Sequence, residues 1–133
     1  MKGQKILFSK KSNHWKTPKE LYKLLNNEFH FNFDPCPLHS KFNGLAIKWK
    51  KRCFVNPPYS NIRKFIEKGL EELTKGNTKI LVYLLPSRTD TKWFHELLLG
   101  KAEIRFIKGR LKFGNSTNSA PFPSLIAIFR GGA

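Results

Sequence analysis

Residues 53–59 constrain the chain most: the apolar, β-branched run Cys53-Phe54-Val55 passes directly into Asn56-Pro57-Pro58-Tyr59. The run has the character of a buried strand. After Ser60 and Asn61, the segment Ile62 to Leu70 has helical spacing. The tetrapeptide therefore falls where a strand ends and a helix begins, which is where ligands bind in open α/β sheets. Two adjacent prolines fix two φ angles and remove two backbone donors, and each pushes the preceding residue out of the helical region. The carbonyls of Asn56 and Pro57 are thus expected in a stiff, extended turn, free to accept hydrogen bonds from outside. The Asn56 side chain adds an acceptor, and Tyr59 adds a flat ring. Such a set suits a planar group bearing an amino donor. A proline-rich turn without chemistry is the plain alternative.

The remaining pattern predicts an α/β domain. Thr17-Pro18 starts a helix, with Thr17 as cap and Pro18 at the first helical position; Leu21, Leu24, Leu25 and Phe29 supply its apolar face. Phe29 to Asp34 alternates into a strand stopped at Asp34-Pro35-Cys36. A carboxylate at a strand's carboxyl end can hold a ribose or an ammonium group, or simply satisfy a local turn. Between Pro37 and Arg52 there is room for one extra strand at most, over Leu45 to Trp49. Lys79 to Leu85 reads as a central parallel strand, ending at Pro86. Thr89 or Asp90 then caps a helix from Thr91 to Leu99, closed by Gly100. Arg88 lies in that connection, on the same edge as Asn56; it is either a surface arginine or a phosphate contact. Ala102 to Ile107 and Ser124 to Phe129 are strands, Leu111 to Phe113 resumes the extended chain, and no helix intervenes. The two late strands must be antiparallel neighbours.

At 133 residues the chain is one domain, read as a basic arm over 1–13 and a catalytic domain over 14–133. Lys and Arg number 25 against 9 Asp and Glu, a formal net charge of +16, which points to a polyanionic partner, nucleic acid first. The two cysteines, Cys36 and Cys53, make neither a disulfide framework nor a zinc spacing. No apolar run resembles a signal or a membrane span. The expectation is a reduced, cytoplasmic protein with no metal and no membrane partner.

Asn56-Pro57-Pro58-Tyr59 resembles the catalytic motif of S-adenosylmethionine-dependent amino-methyltransferases. Further stretches resemble the phage-type DNA N6-adenine methyltransferases among them: Trp15 to Pro18, Phe33 to Cys36, Leu84 to Phe94, Phe106 to Phe113 and Ala120 to Pro123. The resemblance implies a reduced class I (Rossmann-like) methyltransferase sheet, mostly parallel with an antiparallel last strand. It implies methyl transfer from S-adenosylmethionine to the exocyclic amine of a flipped adenine in double-stranded DNA. Asn56, Pro57, Pro58 and Tyr59 would be catalytic. Thr17, Asp34, Pro35, Cys36 and Asn56 would bind the cofactor, and Arg88, Lys108, Arg110 and Lys112 the DNA. Two departures stand out. Pro37, Leu38 and His39 replace the glycines that follow the first cofactor motif, and Asn43 replaces an acid. The alternatives are the same chemistry on RNA or a protein glutamine, and a degenerate module that binds DNA without turnover.

Overall fold

A computed structural model describes residues 14–114 and 118–132. The expected arm over 1–13 lies outside the described residues. Helix α1 is Lys19–Phe29, strand β1 Arg52–Val55, helix α2 Ile62–Thr74, β2 Ile80–Pro86, β3 Glu103–Phe106 and β4 Ser124–Arg130. The sheet order is β1-β2-β4-β3. β1 pairs with β2 in parallel, while β4 lies antiparallel to both β2 and β3. Three strands thus run one way and only the last is reversed, but two of the three ladders are antiparallel, so the sheet is mixed. The late strands are antiparallel neighbours, as a helix-free connection requires.

Both faces are covered, which explains the unbroken apolar runs in β2 and β4. Leu81, Tyr83 and Leu85 of β2, with Leu125, Ala127 and Phe129 of β4, face α2 through Phe65 and Ile66. The intervening residues Val82, Leu84, Ile126 and Ile128 face α1 through Leu25 and Phe29. Leu24, expected on the apolar face of α1, is 68% exposed; the buried stripe runs through Leu25 and Phe29 instead.

Three local expectations are corrected. The strand expected over Phe29 to Asp34 is a single parallel bridge, Phe33 to Cys53, because α1 takes its first residue and His30 closes that helix in the left-handed conformation. Leu45 to Trp49 forms no strand. The Trp49 N–H donates to the buried Glu72 carboxylate at 2.5 Å, and its indole N–H to the Gly44 carbonyl at 2.7 Å, so side-chain bonds replace a ladder. After β2, the chain makes a π-helical turn over Phe94–Leu98, and its hydroxyl contact comes from Thr91 rather than Thr89 or Asp90. Leu111 to Phe113 forms no strand and does not pair into the sheet.

The contact of α2 with β2 depends on Gly69. A Cβ there would lie 2.0 Å from the Tyr83 hydroxyl and 2.7 Å from the Leu81 side chain. That hydroxyl donates to the Phe65 carbonyl, one turn earlier, at 2.7 Å. Gly69→Ala is expected to destabilise the fold by about 2 kcal/mol by overpacking, although alanine is the better helix former by about 1 kcal/mol. Urea unfolding of the two proteins gives the sign.

Candidate active site

The topology brings the candidate residues to one edge. Asp34 follows the Phe33 bridge, Asn56 follows β1, and Ser87 and Arg88 follow β2. Because β3 runs with β2 and β4 against it, the end of β3 and the start of β4 share that edge: the Ile107 N–H donates to the Ser124 carbonyl at 3.1 Å. Lys108, Arg110 and Lys112 leave from there and are exposed, as is Arg88. Four buried side-chain polar atoms among the described residues lack a hydrogen-bond partner: Trp15 Nε1, Asn56 Oδ1, Ser87 Oγ and Ser124 Oγ. The last three all belong to this edge. Buried polar atoms are rarely left unpaired, so each exception calls for an explanation such as strain, a catalytic role, or a water or ion.

Asn56 is 5% exposed. Its Nδ2 donates to the Trp15 carbonyl at 2.5 Å and to Thr17 Oγ1 at 3.0 Å, which leaves Oδ1 as the unpartnered end. Its backbone carbonyl, expected to be free for a ligand, is instead held by His14 Nε2 at 3.0 Å. Burial holds the His14 ring below its ordinary pKa, against bonds to the Asn56 and Cys36 backbone. Thr17, expected to cap α1, makes no capping bond; Pro18 takes the cap position and the hydroxyl serves Asn56.

Beside Asn56 lies a cavity of about 300 Å³, lined among others by Trp15, Thr17, Tyr22, Asp34, Cys36 and Phe54. That volume is at the lower bound for small-molecule sites. Burial raises the Asp34 carboxyl to about 6, against the opposing bond from the Cys36 N–H to Oδ1 at 2.9 Å. Cys36 is a free, buried thiol, and burial pushes its pKa well up, so it is protonated. Pro35 lines a second cavity of about 200 Å³ with Asn43, Asn61 and Phe65. The glycine-free loop still makes its turn: His39 adopts φ 58°, a conformation that glycine would take more readily.

Tyr59 sits apart from both cavities at the start of a 3₁₀ turn, Tyr59–Asn61. Its ring meets Phe122 edge-on at 5.3 Å, and the Arg88 guanidinium lies 5.9 Å from the ring centre. Burial raises the phenol pKa, with Arg88 opposing. The aromatic row continues from Phe122 to Phe113 and from Phe113 to Trp15. Sequence reasoning did not find His14 or Phe122 as site residues. His14 carries no local signal, and Phe122 lies in the Ala120 to Pro123 stretch without being marked within it; each reaches Asn56 or Tyr59 only through the tertiary fold.

Charge is sorted as well. Glu28, Glu67, Glu71, Glu72, Glu96 and Glu103 are each in an ion pair with Arg63, Lys68, Lys75, Arg105 or Arg130. None of those pairs, among the described residues, involves Arg88, Lys108, Arg110 or Lys112. These four cations on the site's edge are therefore not neutralised by a carboxylate in any of those pairs. Among the described residues no group of His, Cys, Asp and Glu is arranged to hold a metal ion, and no helix is long and apolar enough to cross a membrane.

Comparison with known proteins gives the family. The family model described as DNA N-6-adenine-methyltransferase (Dam) matches residues 5–130, and the chain belongs to that family. The DNA N-6-adenine-methyltransferase of Haemophilus phage HP1 is 28% identical over 134 aligned positions, covering 86% of this chain and 77% of that protein. The DNA N-6-adenine-methyltransferase of Escherichia phage T1 is 27% identical over 110, covering 73% of this chain and 45% of that protein. No solved structure matches the chain.

Proposed function

We infer that this protein methylates the exocyclic amine of adenine in double-stranded DNA, with S-adenosylmethionine as methyl donor, and that it is phage-encoded and acts in the host cell. The observation that carries the reading is Asn56 Oδ1, a buried acceptor without a partner at the carboxyl end of β1. The finer fold assignment follows the same line. The bridge at Phe33, then β1, β2, β4 and β3, with only β4 reversed, suits a reduced class I sheet.

The cavity chemistry fits the donor. Asp34 suits an ammonium or ribose hydroxyl, the unpartnered Trp15 Nε1–H suits a carboxylate, and Tyr22, Phe54 and Leu38 give apolar walls. When bound, S-adenosylmethionine supplies a methyl group already activated on a sulfonium. Asn56 Oδ1 accepts one hydrogen of the adenine amine and the Pro57 carbonyl the other. These bonds draw the flat, conjugated amine toward tetrahedral geometry and aim its lone pair. The base must leave the duplex to reach this edge, at a cost of a few kcal/mol. Stacking on Tyr59 offsets about 1–3 kcal/mol of that. Arg88, Lys108, Arg110 and Lys112 hold phosphates and so position the duplex without reading sequence.

The deciding experiment is incubation with labelled S-adenosylmethionine and unmethylated duplex, followed by nucleoside analysis. Label in N6-methyladenine is the expected result; a protein that binds both ligands and transfers nothing is a binding module. DNA affinity should fall steeply with salt, by a log–log slope of about −0.9 per phosphate neutralised. Replacing Arg88 and Arg110 together by alanine should flatten that slope by about 1.8. An unchanged slope in a filter-binding titration places the duplex elsewhere.

A further inference from the structure

The segment from His14 to Thr17 holds Asn56 at three points. His14 Nε2 donates to the backbone carbonyl, and Nδ2 donates to both the Trp15 carbonyl and the Thr17 hydroxyl. The two ends of a carboxamide have nearly the same shape and differ in donating or accepting. A backbone carbonyl can only accept, so Trp15 admits the nitrogen end alone. The reversed amide would set two carbonyl oxygens 2.5 Å apart at the same spot. Thr17 takes the second N–H and leaves Oδ1 as the one end without a protein partner. We propose that Thr17, with the Trp15 carbonyl, is a positioning clamp that orients the Asn56 amide so that Oδ1 meets the substrate amine. The clamp rests on the adenine-methylation reading and assigns the Thr17 hydroxyl to Asn56 in place of the cofactor contact that the sequence led us to expect. It is also braced by the loop that carries Lys112: the Gly114 N–H donates to the Lys16 carbonyl at 2.8 Å, and the Phe113 ring lies 5.6 Å from Trp15.

The clamp makes Asn56→Asp informative. From the acceptor role alone this variant should retain turnover, since an oxygen remains. The clamp predicts otherwise. When ionised, the introduced carboxylate sets its second oxygen against the Trp15 carbonyl, whereas the protonated acid donates there as the amide does. The titratable and charged groups around this position are His14, Lys16, Lys19, Tyr22, Asp34 and Cys36, all lining the same cavity. They are common to parent and variant, so the ratio of rates at each pH removes their own contribution to first order.

The experiment is single-turnover methylation of an unmethylated duplex at saturating S-adenosylmethionine, with circular dichroism as the folding control. Thr17→Val should slow methyl transfer by about tenfold with cofactor affinity little changed, and Thr17→Ser should restore the rate to within about twofold. The ratio of Asn56→Asp to parent should rise as pH falls from about 8 to about 6, the direction expected of a carboxyl that must be protonated to work. A parental rate in Thr17→Val, a loss confined to cofactor affinity, or a flat Asn56→Asp ratio overturns the clamp while leaving adenine methylation standing. A parent that forms no N6-methyladenine overturns both.

Discussion

Asn56→Ala should lower single-turnover methylation by on the order of 10²-fold or more, the scale seen when a positioned polar partner of the reacting group is lost. DNA affinity should barely change, because phosphate contacts dominate it and Asn56 is buried. The fold should survive. Removing the amide strands the Trp15 carbonyl, at about 1–3 kcal/mol, but it also removes the buried Oδ1 that has no partner, so the two effects oppose each other. Tyr59 separates stacking from hydrogen bonding in the same assay. Tyr59→Phe should remain active. Tyr59→Ala should lose activity, and should bind an abasic or mismatched target better relative to a paired one. Full activity in Asn56→Ala would remove the catalytic assignment altogether.

Asp34 should show opposite effects on stability and on binding. Its carboxyl is raised to about 6 by burial, above the ordinary value of 3.8. A raised acid favours the fold while protonated, so this contribution is complete below about pH 4 and is lost as pH rises through 6. Ionised Asp34 then costs the fold about 3 kcal/mol as an upper figure. Asp34→Asn keeps an oxygen for the Cys36 N–H and removes the charge. It should therefore raise the melting temperature of the ligand-free protein at pH 7.5 but hardly at pH 4. Calorimetry should show the reverse for binding: S-adenosylmethionine affinity falls markedly in the variant, and in the parent it strengthens as pH rises through 6. Unchanged affinity would mean that the cofactor does not meet this carboxylate.

Family membership resolves the acceptor among the alternatives, adenine in DNA rather than RNA or a protein glutamine. The tetrapeptide and the charge alone leave DNA and RNA open as acceptors; the further stretches that resemble the phage-type enzymes are what pointed to adenine in DNA.

Features that depend on neighbours along the chain were legible in the order of residues. Strand β1, helix α2 and strand β2 followed from apolar runs and periodicity, and the reversed final strand followed from the lack of a helix before it. Asn56 and Asp34 stood out because strand ends followed by proline leave few other conformations. Packing between distant segments settled the rest. Phe29 could belong to a strand or a helix by pattern, and burial against the sheet beside Leu25 put it in α1. Leu45 to Trp49 had a strand's composition but found its bonds in Glu72 and Gly44, distant or sideways in the chain. Thr17 had the local form of a helix cap and was drawn to Asn56, 39 residues away. Above all, a carboxamide's orientation is invisible in sequence, because its two ends have nearly the same shape; the Trp15 carbonyl and the Thr17 hydroxyl, brought to 2.5 and 3.0 Å from Nδ2 by the fold, decide which end is left without a protein partner.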